Sequence, residues 1–131
     1  MKVLDNKEYE SYNAEAQERW GHTDAYKEYS EKSKNYGKDK WSSLAADMDI
    51  IFSEFSKDMN KGISPDAAET QCLVRKLQIY ITENYYNCTK EILYGLGQMY
   101  VADERFKNNI DKHANGTAAF VSEAITYFVN K

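Results

Sequence analysis

The sequence has few residues that interrupt helices and no long apolar run. One proline and six glycines occur among 131 residues, which favours long helices over strands joined by tight turns. The first residues, M-K-V-L-D-N-K, carry charges before any apolar core begins, so no secretory signal peptide is recognisable. No stretch is apolar enough to span a membrane. We therefore expect a soluble, cytoplasmic protein.

The chain also lacks an excess of positive charge. Its formal net charge is -4 and its pI is about 5.2, so it has no overall positive field to neutralise phosphates. Direct contact with nucleic acid is not expected.

Cysteine and histidine are scarce, with two of each. They show neither C-x-x-C nor H-x-x-x-H spacing, which excludes a recognisable zinc site, and two cysteines do not make a disulfide framework. A hydrolase with Cys88 as nucleophile and His22 or His113 as base would need an oxyanion-hole motif, and none is identifiable. We expect no cofactor, no metal and no enzymatic turnover.

Aromatic residues, in contrast, are abundant. Eleven tyrosines, five phenylalanines and two tryptophans accompany a mean hydropathy of -0.77. Tyrosine combines a large apolar face with one hydroxyl, which suits a cleft for mixed apolar and polar ligands. The alternative is that most of these rings only pack helices together.

Periodicity predicts an all-α fold, a compact bundle of about six or seven helices forming one domain over residues 1–131. The clearest amphipathic helix covers residues 39–60. Ser64 and Pro65 are typical of the start of the next helix, and Cys72 falls on its predicted inward face. Asn87 or Thr89 interrupts the path, and Asp103 resembles a helix N-cap. Further helices are predicted over residues 8–20, 23–36 and 64–86, from residue 87 or 89 to about residue 100, over residues 103–113, and from residue 115 or 117 to about residue 128.

Residues 1–37 form a predicted N-terminal arm with a thin apolar stripe. Trp20 and Tyr26 are among the few large apolar side chains of this arm. Weak docking follows from so narrow a stripe, and we expect the arm to be mobile without a ligand.

Cys88 allows two interpretations. A helix N-terminus and Lys90 beside it would favour the thiolate, which is the reactive form. A buried position would instead leave it inert.

Two stretches have a more specific pattern: Y-N-C-T-K-E-I-L-Y-G-L-G-Q-M-Y-V-A-D-E-R-F at residues 86–106 and R-W-G-H-T-D-A-Y at residues 19–26. Both resemble the TipAS family, the antibiotic-recognition domain at the C-terminus of some MerR-type transcriptional regulators. The resemblance implies a globin-like helical fold without haem, whose cleft binds apolar, often macrocyclic antibiotics such as thiopeptides. It further implies that the cysteine of the Y-x-C-T motif, here Cys88, can add to a dehydroalanine of the ligand.

Helical spacing supplies candidate ligand-binding residues on one face: Ile81, Asn84, Tyr85, Cys88 and Ile92. Trp20 and Tyr26 would close over a ligand as a lid, the alternative for both being ordinary helix docking. Tyr80, Asn84 and Tyr94 depart from residues common in the family, so the ligand itself is left open.

The expected function is therefore non-enzymatic antibiotic binding, for transcriptional drug sensing or for resistance by sequestration. No MerR-type helix-turn-helix precedes Met1, so we expect this chain to belong to, or derive from, a dimeric MerR-type regulator, or to act alone. The alternative function is a protein–protein interaction module that takes a partner helix in its aromatic cleft.

Overall fold

The computed structural model describes the backbone of residues 24–131 and the side chains of residues 27–131. These residues form six α-helices and no β-strand, so the all-α prediction is confirmed for this part of the chain. The predicted helix over residues 8–20 lies outside the described residues. The helices are α1 Asp24–Ser33, α2 Lys38–Asn60, α3 Ala68–Asn84, α4 Lys90–Ala102, α5 Glu104–Asp111 and α6 Thr117–Asn130.

Several helix ends lie where glycine and capping residues predict them. Gly37 precedes α2, and Gly62 follows it with a φ of 78°, in the left-handed region that glycine adopts without strain. Thr89 and Asp103 are the N-caps of α4 and α5. Their side-chain oxygens accept backbone N–H groups in the first turn at 3.2 and 2.9 Å, which satisfies donors that a helix start leaves unpaired.

The start of α3 was predicted three residues too early. Ser64 does not cap the helix, because its hydroxyl donates a 2.6 Å hydrogen bond to the carboxylate of Asp66. A turn through Pro65 is closed by the N–H of Ala67, which donates to the carbonyl of Ser64 at 3.1 Å. The helix begins only after this turn, at Ala68.

The inward face of α3 also differs from the predicted one. Cys72 is exposed, whereas the neighbouring Gln71 is buried. The Gln71 amide donates to the carbonyl of Pro65 at 2.9 Å and to that of Ala124 in α6 at 3.1 Å. Both hydrogens of this amide thus have acceptors, whereas its buried Oε1 has no hydrogen-bond partner among the described residues. With Gln71 facing the core, Cys72 faces solvent.

Helix α6 lies at the centre of the bundle and packs against α2, α3, α4 and α5. The predicted apolar stripe of α2 is confirmed in the core, where Phe55 is completely buried. Other fully or nearly fully buried side chains come from four helices: Leu44, Ile51, Phe52, Val74, Leu77, Leu93, Val121, Ala124, Ile125 and Phe128.

A polar contact ties α2 to the loop between α5 and α6. Asp49 is only 8% exposed, and its carboxylate lies 3.0 Å from Lys112 Nζ and 3.0 Å from His113 Nε2. The side chain of His113 is largely buried. A buried carboxylate needs such partners, because without them its desolvation is unfavourable.

Across residues 24–131, none of the helices combines the length and the apolarity that a bilayer crossing requires.

The two glycines inside α4 have different environments. A Cβ on Gly97 would lie 3.3 Å from side-chain carbons of Ile125 in α6, whereas a Cβ on Gly95 would have no neighbour within 4 Å. Close helix packing thus occurs at Gly97 and not at Gly95.

This difference predicts opposite effects of two substitutions. Gly95→Ala should raise the free energy of unfolding by about 0.5–1 kcal/mol, because alanine is the better helix former and has room there. Gly97→Val should lower it by about 1–3 kcal/mol, because the branched side chain would overlap Ile125. Urea denaturation followed by circular dichroism measures both. Equal changes at the two positions would contradict the packing described for α4 and α6.

Candidate functional site

Helix α1 and the residue Tyr36 bind the C-terminal end of α3 and the loop that follows it. Lys32 Nζ donates to the carbonyl of Thr82 at 2.7 Å, and the hydroxyl of Tyr36 donates to the carbonyl of Asn84 at 2.8 Å. The carboxylate of Glu28 accepts the backbone N–H of Asn87 at 2.8 Å. The last carbonyls of a helix have no partner within it. Lys32 and Tyr36 therefore supply the hydrogen-bond donors that α3 cannot supply to the carbonyls of Thr82 and Asn84.

Four half-buried aromatic residues meet at this junction, and we call them the aromatic cluster: Tyr29, Tyr36, Trp41 and Tyr85. The rings of Tyr29 and Tyr85 are nearly parallel, with centroids 6.2 Å apart and planes inclined by 17°. Trp41 lies beside both, with centroid distances of 6.4 Å to each. Tyr36 meets Trp41 edge-on at 5.3 Å. These geometries are favourable for aromatic pairs.

The carboxylate of Asp47 lies near the aromatic cluster. Asp47 accepts a 2.8 Å hydrogen bond from the hydroxyl of Tyr80. Burial raises the pKa of Tyr85 above its usual range, and the nearby Tyr29, Tyr36 and Asp47 add to the rise. Tyr85 therefore keeps its proton under ordinary conditions and presents a neutral ring and a hydroxyl.

Cys88 lies inside the protein rather than at an open helix start. Its residue is only 3% exposed, and burial raises the pKa of its thiol to about 11. The loop around it is fixed by two hydrogen bonds. The N–H of Cys88 donates to the Thr82 hydroxyl at 3.1 Å, and its carbonyl accepts from the Gln78 amide at 2.9 Å. The interpretation that Cys88 is buried and inert agrees with this environment better than activation by Lys90.

A surface groove of about 390 Å³ runs along α3 next to this loop. Ile79, which is 45% exposed, is its most exposed large apolar side chain. Its other lining residues are mostly polar: Arg75, Gln78, Thr82, Glu83, Asn87 and Cys88.

The predicted ligand-binding residues do not form one continuous helix face, because α3 ends at Asn84 and α4 begins only at Lys90. Ile81 belongs to the core, and Ile92 packs against it. The Asn84 amide donates to the carbonyl of Tyr80 at 3.0 Å. Tyr85 belongs to the aromatic cluster and Cys88 lines the groove. Trp20 and the side chain of Tyr26 lie outside the described residues.

Three members of the aromatic cluster were missed as candidate site residues. The sequence pattern placed Tyr29, Tyr36 and Trp41 in predicted helices over residues 23–36 and 39–60 without assigning them to a ligand site. The available signal was the position of Tyr36 and Trp41 on either side of the Gly37 helix break, where a chain reversal brings side chains of successive helices together.

No group of three histidine, cysteine, aspartate or glutamate side chains suitable for a metal ion occurs among the described residues. His113 bonds to Asp49, and no hydrogen bond links it to Cys88.

Comparison with known proteins agrees with this architecture. A model of the TipAS antibiotic-recognition domain matches residues 12–128. The HTH-type transcriptional activator TipA of Streptomyces coelicolor is 36% identical over 116 residues, which are 88% of this chain and 46% of that protein. The HTH-type transcriptional activator mta of Bacillus subtilis is 36% identical over 101 residues, or 77% of this chain and 38% of that protein. The chain thus spans less than half the length of these relatives.

A solved structure is similar throughout. It is TipAS in complex with nosiheptide, from a thiopeptide antibiotic multidrug resistance system of Streptomyces lividans. The TM-score is 0.84 and the sequence identity 32%, and the match covers 99% of this chain and 97% of the other. With a family match over most of its length and a shared fold, this chain belongs to the TipAS antibiotic-recognition domain family.

Proposed function

We propose that this domain binds bulky, largely apolar antibiotics of the thiopeptide class without chemical turnover. The observation that carries the proposal is the structural match, over nearly the whole chain, to TipAS in complex with nosiheptide. Family membership over residues 12–128 supports it. The fold by itself would not be sufficient, because one fold can have many functions.

The aromatic cluster is the surface best suited to such a ligand. Its four rings are half-buried and come from α1, the residues before and within α2, and the end of α3. Aromatic rings bury a large area for few rotatable bonds, so they contact a rigid macrocycle at a small entropic cost. Tyr85 is the predicted site residue that belongs to this surface. Trp20 and Tyr26 remain predicted lid residues.

Recognition is non-covalent in this proposal. A thiol acts as a nucleophile only in its thiolate form, and burial raises the pKa of Cys88 to about 11. Its thiolate fraction at pH 7 is therefore about 1 in 10,000. Addition of Cys88 to a dehydroalanine would first require the loop at residues 85–89 to open.

The biological role follows from the relatives. TipA and mta are named as transcriptional activators, and each is more than twice as long as the region matched. We propose that this domain is the drug-sensing part of a cytoplasmic, dimeric MerR-type regulator, in which another segment contacts DNA. By itself, the same domain would sequester the drug.

The proposal predicts saturable one-to-one binding of nosiheptide. Tyr85→Leu should weaken it by about tenfold, because truncating a central aromatic contact usually costs more than 1 kcal/mol. Tyr127→Leu is the matched control, since Tyr127 is exposed on α6 and outside the aromatic cluster. Isothermal titration calorimetry measures both. If nosiheptide gave neither heat nor thermal stabilisation, while an amphipathic helical peptide bound, the function would be partner binding instead.

A second prediction concerns the two thiols. In the wild-type protein at pH 8, iodoacetamide should modify the exposed Cys72 long before Cys88. In Cys72→Ser, the rate at Cys88 should keep rising between pH 8 and 10, because its raised pKa leaves it mostly protonated over that range. Intact-protein mass spectrometry reports each adduct, with Cys88→Ser as control. Rapid modification of Cys88 at pH 7, or a nosiheptide adduct at Cys88, would contradict the non-covalent mechanism.

A further inference from the structure

The aromatic cluster already holds a cation. Lys40 Nζ lies over the ring of Tyr36, 5.4 Å from its centroid, which is within the distance at which the electron-rich ring face attracts a positive charge. Tyr36 in turn meets Trp41 edge-on. An ammonium group is therefore accommodated at the edge of a surface formed by four aromatic rings.

One carboxylate adds negative charge near these rings. Asp47 accepts a hydrogen bond from the hydroxyl of Tyr80, and its charge acts on Tyr85. The charge of the other nearby carboxylate, Glu28, is offset by Lys32, whose Nζ lies 3.6 Å away. Aromatic rings are the usual environment for organic cations in proteins, and Asp47 adds to their attraction.

We propose that the aromatic cluster, together with Asp47, selects lipophilic cations, meaning compounds that carry a quaternary or delocalised positive charge on an aromatic body. Lys40 already lies over the ring of Tyr36 and would compete with such a ligand for that ring face. The inference rests on the proposed function, because it assigns a further ligand class to the same surface.

The chemistry of the competing cations explains why a ligand can displace Lys40. A lysine ammonium is compact and strongly hydrated, and it keeps much of that hydration at a half-buried ring. A phosphonium or quaternary ammonium spreads its charge over apolar substituents, so it loses little hydration on binding and buries more apolar area.

A matched pair of small probes tests the charge directly. Methyltriphenylphosphonium is cationic, and triphenylphosphine oxide is neutral with nearly the same shape. By calorimetry in about 50 mM salt, where screening is modest, the cation should bind the wild-type protein about fivefold more tightly than the neutral probe. Equal affinities for the two probes would overturn the proposal.

Three variants and one control locate the effect. Asp47→Asn keeps an oxygen to accept the Tyr80 hydroxyl, and should weaken the cation about threefold without changing the neutral probe. Lys40→Gln should strengthen the cation about twofold or more, because the competitor is lost. Trp41→Leu should weaken both probes, and Tyr127→Leu neither. If Asp47→Asn and Lys40→Gln left the ratio of the two affinities unchanged, the cluster would not be the source of selectivity.

Nosiheptide binding separates this inference from the proposed function. If nosiheptide binds in a Tyr85-dependent manner and the phosphonium does not, only the cation inference is overturned. If neither binds a protein whose circular dichroism and melting temperature are normal, both are overturned.

Discussion

The burial of α6 is the constraint on which the rest of this bundle depends. This helix packs most extensively against α2, α3, α4 and α5, and its side chains from Ala118 to Phe128 supply much of the core. The closest approach is to α4 at Gly97, where the absence of a side chain lets the backbone lie against Ile125. Because densely packed interiors resist volume changes, the relative positions of α3 and α4 are then largely fixed.

Fixing α3 and α4 also fixes the short segment between them. The loop at residues 85–89 carries both Tyr85, which faces the aromatic cluster, and Cys88, which faces the core. The proposed ligand surface and a core residue therefore lie within four positions of each other. This explains why Cys88 is shielded from solvent while Tyr85 is only half-buried.

Much of the order of helices was predictable from local signals. The differences between the predicted and the observed helix faces have a common cause. Gly37, Gly62, Thr89 and Asp103 act within one turn of themselves, so the sequence alone reveals their roles. Gln71 is different, because its burial depends on a carbonyl of α6 that is 53 residues away. An apolar pattern classifies such a residue as exposed, and the error then moves its neighbour Cys72 into the core.

The candidate site was less predictable than the fold for a similar reason. Tyr85 was identified from helical spacing and Cys88 from a motif, but the rings that accompany Tyr85 come from segments more than 40 residues earlier. Their convergence depends on how α1 docks on the end of α3, which periodicity does not encode. The environment of Cys88 likewise follows from core packing and not from its position before a helix.

The contacts of α1 also have an evolutionary consequence. Lys32, Tyr36 and Glu28 all bind main-chain groups, namely the carbonyls of Thr82 and Asn84 and the N–H of Asn87. Every residue type except proline offers those same groups, so substitutions at positions 82, 84 and 87 leave the α1 attachment in place. Descendants of this domain can therefore diversify the side chains beside the proposed ligand surface while inheriting an unchanged attachment of α1.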